Sequence, residues 1–324
     1  MMRSPVSTLL AVAAISITLT SCTSRQPSHP MARPTTTTIP PTTTTTTTTV
    51  PVEPGWTPIT VGPTGVIADQ RNVTVPDGRQ VAVLRFRAGQ VRFNLHIGSQ
   101  EPPRGATILG PLSENAVSAV ERPYLAAAFN GGFKVNAAAG GVEVGGQVLT
   151  PLINGFASFV IDANGAGHIG VWGSSVPAPG EQVVSVRQNL SLLIADGSLS
   201  PEIGSIAPWG DTLHGIAATA RSALGQDLNG DLLYAGAMAA LPSDLGAALL
   251  QDGATVAMEL DINPYWIQCD AAPTPGGPLL AIVPGQNRPA SQYLDGWTRD
   301  FITVLTPGPA PSPNVRMPFF PHPK

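Results

Sequence analysis

Charge is what this chain has least of. Asp, Glu, Lys and Arg make up 12% of its 324 residues, against about 25% in an ordinary soluble domain. Net charge is −4. Without a basic excess there is no counterpart for a phosphate backbone, so nucleic acid is not an expected partner. Lysine is nearly absent: only Lys134 and Lys324 occur, beside fifteen Arg. There are two Cys, Cys22 and Cys269. If Cys22 is acylated, Cys269 has no partner within the chain, which excludes a disulfide framework. No CxxC pair is present, and His96, His168 and His214 match no zinc spacing. Each His is expected to be structural or exposed. No metal and no cofactor are expected. The apolar run at Leu9–Leu19 is too short to span a bilayer comfortably.

That run does have a meaning at the N-terminus. Arg3, an apolar stretch and then Leu19-Thr20-Ser21-Cys22 read as a secretory signal, residues 1–22, whose end resembles a bacterial lipoprotein cleavage box. Cys22 is then the lipidation site, and its acyl chains hold the protein to the outer face of the membrane. Residues 23–54 are rich in Thr and Pro with some Ser, including "PTTTTTTTTVP". Such a segment has no apolar surface to offset its ordering entropy and is expected to be a disordered stalk reaching into the cell envelope. Residues 55–307, roughly 250 in number, suffice for one large domain. Residues 308–324 form a Pro-rich tail expected to be irregular.

Strand signals dominate the domain. Gln80–Gly98 alternates apolar and polar residues around Ala-Gly-Gln and is expected to be a β-hairpin. Gly155–Gly173 is a second hairpin turning at "DANG". "NLSLLIADGSLSP" is a strand running into Asp196-Gly197, and "RSALGQDLNGDLLYAGAM" supplies two more around Asp227–Asp231. Two helices are expected: Ser113–Val120, limited by Pro123, and Pro242–Gly253, capped by Ser243, with Leu245, Ala248 and Leu249 on one face and Gly253 as its stop. The expected fold class is α+β. Its sheet is large and mostly antiparallel, with barrel-like closure as one outcome, under a few covering helices.

Three segments carry candidate chemistry. In "YLAAAFNGGFKVN", Tyr124–Asn136, an apolar strand stops at Asn130-Gly131-Gly132 and is followed by Lys134. The glycines permit close backbone approach or positive φ, and their N–H groups suit an anion; the same residues also suit a plain tight turn. Arg221 opens a strand of small apolar residues, "RSALGQD". There it meets either a carboxylate or an anionic ligand. In "VAMELDINPYW", Val256–Trp266, Glu259 and Asp261 lie two apart on one strand and share a face. They suit paired acid and base roles, or an ion pair with a buried Arg. The helix at Pro242–Gly253 feeds this strand directly.

The order of these parts resembles the phosphodiester glycosidase domain family over roughly Tyr124–Trp266. "FNGGF" is the most specific piece, "RSALG" is similar to the family's Arg-Thr-Ala-Leu-Gly, and Asp261 stands where the family has Leu-Asp-Gly-Gly-Gly-Ser. The resemblance implies hydrolysis of a sugar–phosphate bond in a phosphodiester-linked cell-wall glycan. Asn130, Gly131, Gly132, Lys134 and Arg221 would surround the phosphate. Asp261 or Glu259 would act as base, nucleophile or stabiliser of the cationic sugar. The chain departs from the family after Asp261, where Ile262, Asn263 and Pro264 replace glycines. Asn263, Tyr265 and Trp266 then face the substrate position, and the two aromatics suit stacking on a sugar. The alternative that this departure leaves open is an envelope lipoprotein that binds the glycan without cleaving it.

Overall fold

The computed structural model describes residues 53–103, 112, 114–137, 139–210 and 216–308. The signal and Cys22, nearly all of the stalk, Ser113, His214 and the tail from residue 309 lie outside the described residues. All the described residues belong to one compact unit, Thr49–Lys324.

Three antiparallel sheets form the body. The largest has eight strands in the order β1 (Thr57–Gly62), β2 (Gly65–Thr74), β3 (Gln80–Phe86), β14 (Leu232–Ala240), β13 (Thr219–Asp227), β15 (Ala254–Glu259), β11 (Leu192–Ala195) and β12 (Ser198–Leu199). The second runs β7 (Gln147–Thr150), β6 (Val142–Val144), β10 (Val183–Gln188), β8 (Ala157–Asp162) and β9 (Gly167–Val171). The third runs β17 (Leu280–Ala281), β16 (Cys269–Ala271), β5 (Leu125–Asn130), β18 (Phe301–Leu305) and β4 (Arg92–His96). None of the three closes on itself. Two α-helices occur among the described residues, α1 (Pro242–Gln251) and α2 (Gln292–Asp295). The fold is therefore β-rich, with open sheets and little helix, rather than α+β around a barrel. No helix of the described residues is long and apolar enough to cross a membrane.

Each central strand of the large sheet is buried on both faces. Leu84, Phe86, Leu224, Tyr234 and Met258 join Phe93, Phe129, Phe159, Ile302 and Val304 in the main core, which draws on all three sheets. Val81, Val83, Ala223, Leu233 and Ala257 form the opposite face with Leu245, Ala248 and Leu249 of α1. The Gln80–Gly98 segment is not a hairpin, because both hydrogen-bonding edges of β3 are taken by strands other than β4. β3 needs a neighbour on each side and pairs with β2 and β14. After the turn at Arg87–Gln90 the chain passes to the third sheet, where β4 pairs with β18. Arg85, at an apparently polar position of β3, is buried against the ring of Trp56 and paired with Asp69.

The other local expectations divide by their chemistry. The β8–β9 hairpin and the β13–β14 pair form as read, and the strand expected to run into Asp196-Gly197 forms as β11, with a short partner, β12, beyond that turn. The helix expected over Ser113–Val120 does not: residues 114–120 are bends and turn, and the Glu121 carboxylate accepts from the Ser118 N–H and hydroxyl. That side-chain bond satisfies a turn and competes with helix. α1 forms, but Ser243 is not its cap. Leu241 holds that position, Pro242 fills the first turn, and the Asp244 carboxylate accepts from the Leu241 N–H at 2.7 Å. Gly253, at φ +91°, turns the chain into β15.

Leu249 is fully buried between α1 and the large sheet. Leu249→Ala is expected to lower unfolding free energy by about 2–5 kcal/mol through lost transfer energy and a cavity, measured by urea denaturation; a loss under about 1 kcal/mol would contradict this packing.

Candidate functional site

The three sequence segments converge where the ends of β5, β13 and β15 meet the chain entering β18. Asn130 ends β5, opposite Phe301 of β18. Its side chain is fully engaged: Nδ2 donates to Gly131 O and to Ser222 Oγ, both at 2.9 Å, and Oδ1 accepts from the Tyr234 hydroxyl at 2.9 Å. Gly131 and Gly132 do not have positive φ. They are glycines because an ion pair presses on them. A Cβ on Gly131 would lie 2.0 Å from Asp300 Oδ2, and one on Gly132 would lie 2.8 Å from the Arg187 guanidinium carbon. Their N–H groups are also spent, on Asp300 O at 3.0 Å and Asp300 Oδ2 at 3.2 Å. The "FNGG" turn thus wraps an internal carboxylate and offers no free N–H cradle. Arg187 Nε meets Asp300 Oδ2 at 2.7 Å, and the same guanidinium donates to the carbonyls of Phe133 and Gln188.

Arg221 and Glu259 form a second buried pair, 2.6 Å apart and both fully inaccessible. Arg221 also donates to the carbonyls of Ala240 and Trp209. Ala223 and Ala257, which share faces with Arg221 and Glu259, belong to the core under α1. The pair is therefore embedded on the helix-covered side of the sheet. Burial pushes the Glu259 carboxyl upward, and Arg221 only partly offsets this.

Asp261 lies just beyond β15, yet strand pairing continues to it. Ser222 N donates to Asp261 O at 2.9 Å, and Leu260 N donates to Ser222 O at 2.8 Å. Its carboxylate has its own cation. Oδ2 lies 3.5 Å from Arg299 Nη2, while Oδ1 accepts from the N–H groups of Ile262 at 2.7 Å and Asn263 at 3.2 Å. Burial dominates and raises the Asp261 carboxyl to about 7; Arg299 and the Ile262 N–H pull it down, and Asp300 pushes it up.

Arg299 is 4% exposed. Nη2 donates to Gly132 O at 2.8 Å, whereas Nε and Nη1 are buried without a hydrogen-bond partner. The guanidinium stacks on Trp266, 4.3 Å from the ring centre, and Lys134 Nζ lies 4.9 Å from that centre. Asp261, Arg299, Trp266 and Lys134 thus form one cluster with unspent positive donors. Asn263 Oδ1 accepts from Tyr265 N at 2.9 Å and shapes the turn. Tyr265 is exposed, with the Arg288 guanidinium 5.8 Å from its ring centre.

Sequence reasoning passed over Arg187, Arg299 and Asp300. A signal existed in "GWTRDF", where two adjacent charges precede the apolar strand Phe301–Leu305 in a chain that has few charges.

No family model matches the chain, and no curated protein matches it. Among solved structures the chain is similar to the zebrafish N-acetylglucosamine-1-phosphodiester alpha-N-acetylglucosaminidase catalytic domain auto-inhibited by its pro-peptide. The identity is 15% and the TM-score 0.49, covering 74% of this chain and 82% of that one. It is also similar to a hypothetical protein from Synechocystis at 14% identity and TM-score 0.45, covering 74% of this chain and 62% of that one. A Burkholderia pseudomallei protein described as exported matches at 14% identity and TM-score 0.38, covering 74% and 75%. These are distant likenesses of fold.

Two predictions follow the two carboxylates. Arg221→Met alone strands the Glu259 carboxylate and is expected to cost about 3–5 kcal/mol, while Arg221→Met with Glu259→Leu recovers most of it. Equal loss in the single and double variants, by denaturant titration, would contradict a structural pair. The Asp261 carboxyl has a folded value raised from 3.8 to about 7. Its stabilising protonated form is present below the unfolded value and lost as pH rises through the folded one. Relative to Asp261→Asn, the unsubstituted protein is therefore expected to lose on the order of 1–4 kcal/mol between pH 4 and pH 8. Parallel pH–stability curves for the two proteins would rule this out.

Proposed function

We propose that the protein is a cell-envelope phosphodiester glycosidase that binds a sugar-phosphate at the Asp261–Arg299–Trp266–Lys134 cluster and hydrolyses the glycosidic bond to phosphate. The observation that carries this reading is the side chain of Arg299. A buried guanidinium with two unpartnered donor nitrogens costs free energy unless an acceptor meets it. The non-bridging oxygens of a phosphodiester, which share one negative charge, are acceptors suited to these donors, with Lys134 adding a second positive charge.

The chemistry suits the groups. A phosphate is already a good leaving group, so stabilising its negative charge matters more than protonating it. Arg299 and Lys134 supply that charge. Asp261, held beside Arg299 by the Ile262 and Asn263 N–H groups, serves as the base or nucleophile at the sugar carbon. Trp266 and the exposed Tyr265 offer faces for the sugar. The signal ending at Cys22 and the Thr-rich stalk support placement outside the cell, lipid-anchored and facing cell-wall glycans.

A second reading is a sugar-phosphate-binding lipoprotein without turnover. It is favoured by the turn after Asp261, where Asp261 Oδ1 already accepts two N–H groups and Pro264 has none to offer a substrate.

The test is release of free sugar from UDP-N-acetylglucosamine and from cell-wall sugar-phosphodiesters, beside an active control enzyme. Hydrolysis is expected, with Asp261→Ala and Arg299→Ala each lowering kcat/KM by at least about 100-fold while the fold is retained. Quenching of Trp fluorescence by the same ligands without sugar release would replace the first reading by the second. Neither release nor binding would end both.

A further inference from the structure

A second group of side chains stands apart from this site, at the far end of the β8–β9 hairpin. Asp162 closes β8, His168 lies on β9, and Glu181 precedes β10. One ligand atom from each lies within 4.8 Å of the other two. Glu181 Oε1 is the informative atom. The Glu181 side chain is 10% exposed, and Oε1 is buried and accepts no hydrogen bond. It points at His168 Nε2, 3.4 Å away. Its other oxygen is committed, accepting from Ala178 N at 2.7 Å. Asp162 is divided in the same way. Oδ1 accepts from the N–H groups of Asn164 and Ala166, both at 2.8 Å, while Oδ2 has only a long contact from Asn164 Nδ2 at 3.4 Å.

We propose that Asp162, His168 and Glu181 form a structural site for a first-row divalent cation, zinc above all. An imidazole nitrogen with two carboxylate oxygens is a zinc-type donor set and a poor one for calcium, which takes oxygen alone. Two ligands bound at about 2.0–2.2 Å in tetrahedral geometry stand about 3.3 Å apart, close to the His168–Glu181 separation. The cation supplies what Glu181 Oε1 lacks. His168 is 42% exposed, so water reaches the remaining coordination position. No sequence spacing announces this set, because the ligands come from the two arms of a hairpin and from a third segment beyond it.

The consequence is mechanical. The ion ties the hairpin to the segment two residues ahead of β10, and β10 carries Arg187 to the pair with Asp300. The backbone is already joined there by Ala163 N donating to Gln182 O at 2.9 Å.

The test uses the purified, untagged protein stripped with chelator. Zinc is expected to bind at one equivalent. At about 100-fold excess over its Kd it raises Tm by roughly 5–10 °C, reversibly on chelation. Calcium and magnesium at the same concentration give no shift. Glu181→Gln and His168→Ala each weaken zinc binding at least about 10-fold. Should Glu181→Gln disturb the Ala178 contact, the half-exposed His168→Ala carries the comparison, with circular dichroism checking the fold. No zinc uptake, uptake unchanged in the folded Glu181→Gln/His168→Ala double variant, or a larger shift with calcium than with zinc would overturn the proposal.

Discussion

The contact on which the candidate site depends is the ion pair between Arg187 and Asp300. Both side chains are about 1% exposed. One comes from β10 in the second sheet, the other from the residue entering β18 in the third, so the pair joins two sheets. A buried pair of this kind does not stabilise much beyond a well-packed apolar pair, because both charges lose their water. What it fixes is position. Asp300 must also accept from Gly132, and Arg187 must also donate to Phe133 and Gln188, so only one arrangement satisfies all of them. Removing either member strands the other in the core. The turn "FNGG" is built around that arrangement, with two glycines where any side chain would strike it.

This frame explains how so few charges serve the chain. Arg187, Arg221, Glu259, Asp261, Arg299 and Asp300 are all buried in one region. Two of the three pairs are tight, at 2.6 and 2.7 Å, with side chains at most 1% exposed, although Arg221 Nη2 and Glu259 Oε2 also lack a hydrogen-bond partner. The third, Arg299 with Asp261, is loose at 3.5 Å and leaves two guanidinium nitrogens unspent. The contrast separates scaffold from site better than any single residue does. Each of the three guanidiniums is held by its own carboxylate, and the compensation is least complete at Arg299.

Much of this was legible in the sequence, though unevenly. Hairpins with their own turn chemistry were readable, because Asp-Ala-Asn-Gly and the Asp227–Asp231 turn specify a reversal locally, whereas at Asp196-Gly197 only the strand leading in was read. α1 and its passage into β15 were readable from one apolar stripe and one glycine. The Gln80–Gly98 pairing was not, since alternation says which face is buried but not which strand lies alongside. The site divides similarly. Asn130, Gly131, Gly132, Arg221, Glu259 and Asp261 all converge, but most converge as framework. Whether a glycine faces a ligand or an internal carboxylate depends on Asp300, about 170 residues away, and no local pattern carries that distance. Arg299 and Asp300 were hidden for the same reason.

The turn after Asp261 shows how side chains and backbone share the constraint on a carboxylate. Glycines there would leave the carboxylate free to be oriented by a substrate. Ile262 and Asn263 keep their N–H groups and direct them at Oδ1, while the Asn263 side chain closes the turn on Tyr265 N. Pro264 fixes φ and contributes a carbonyl that accepts from Asn287. The result is a carboxylate held before any ligand arrives, with Oδ2 toward Arg299 and the Trp266 ring over the guanidinium. Pre-orientation of this kind reduces what any binding event would have to order, and it leaves the Ile262, Asn263 and Tyr265 N–H groups committed within the turn. The side chain paired with this carboxylate is then that of Arg299, with Lys134 and Trp266 beside it.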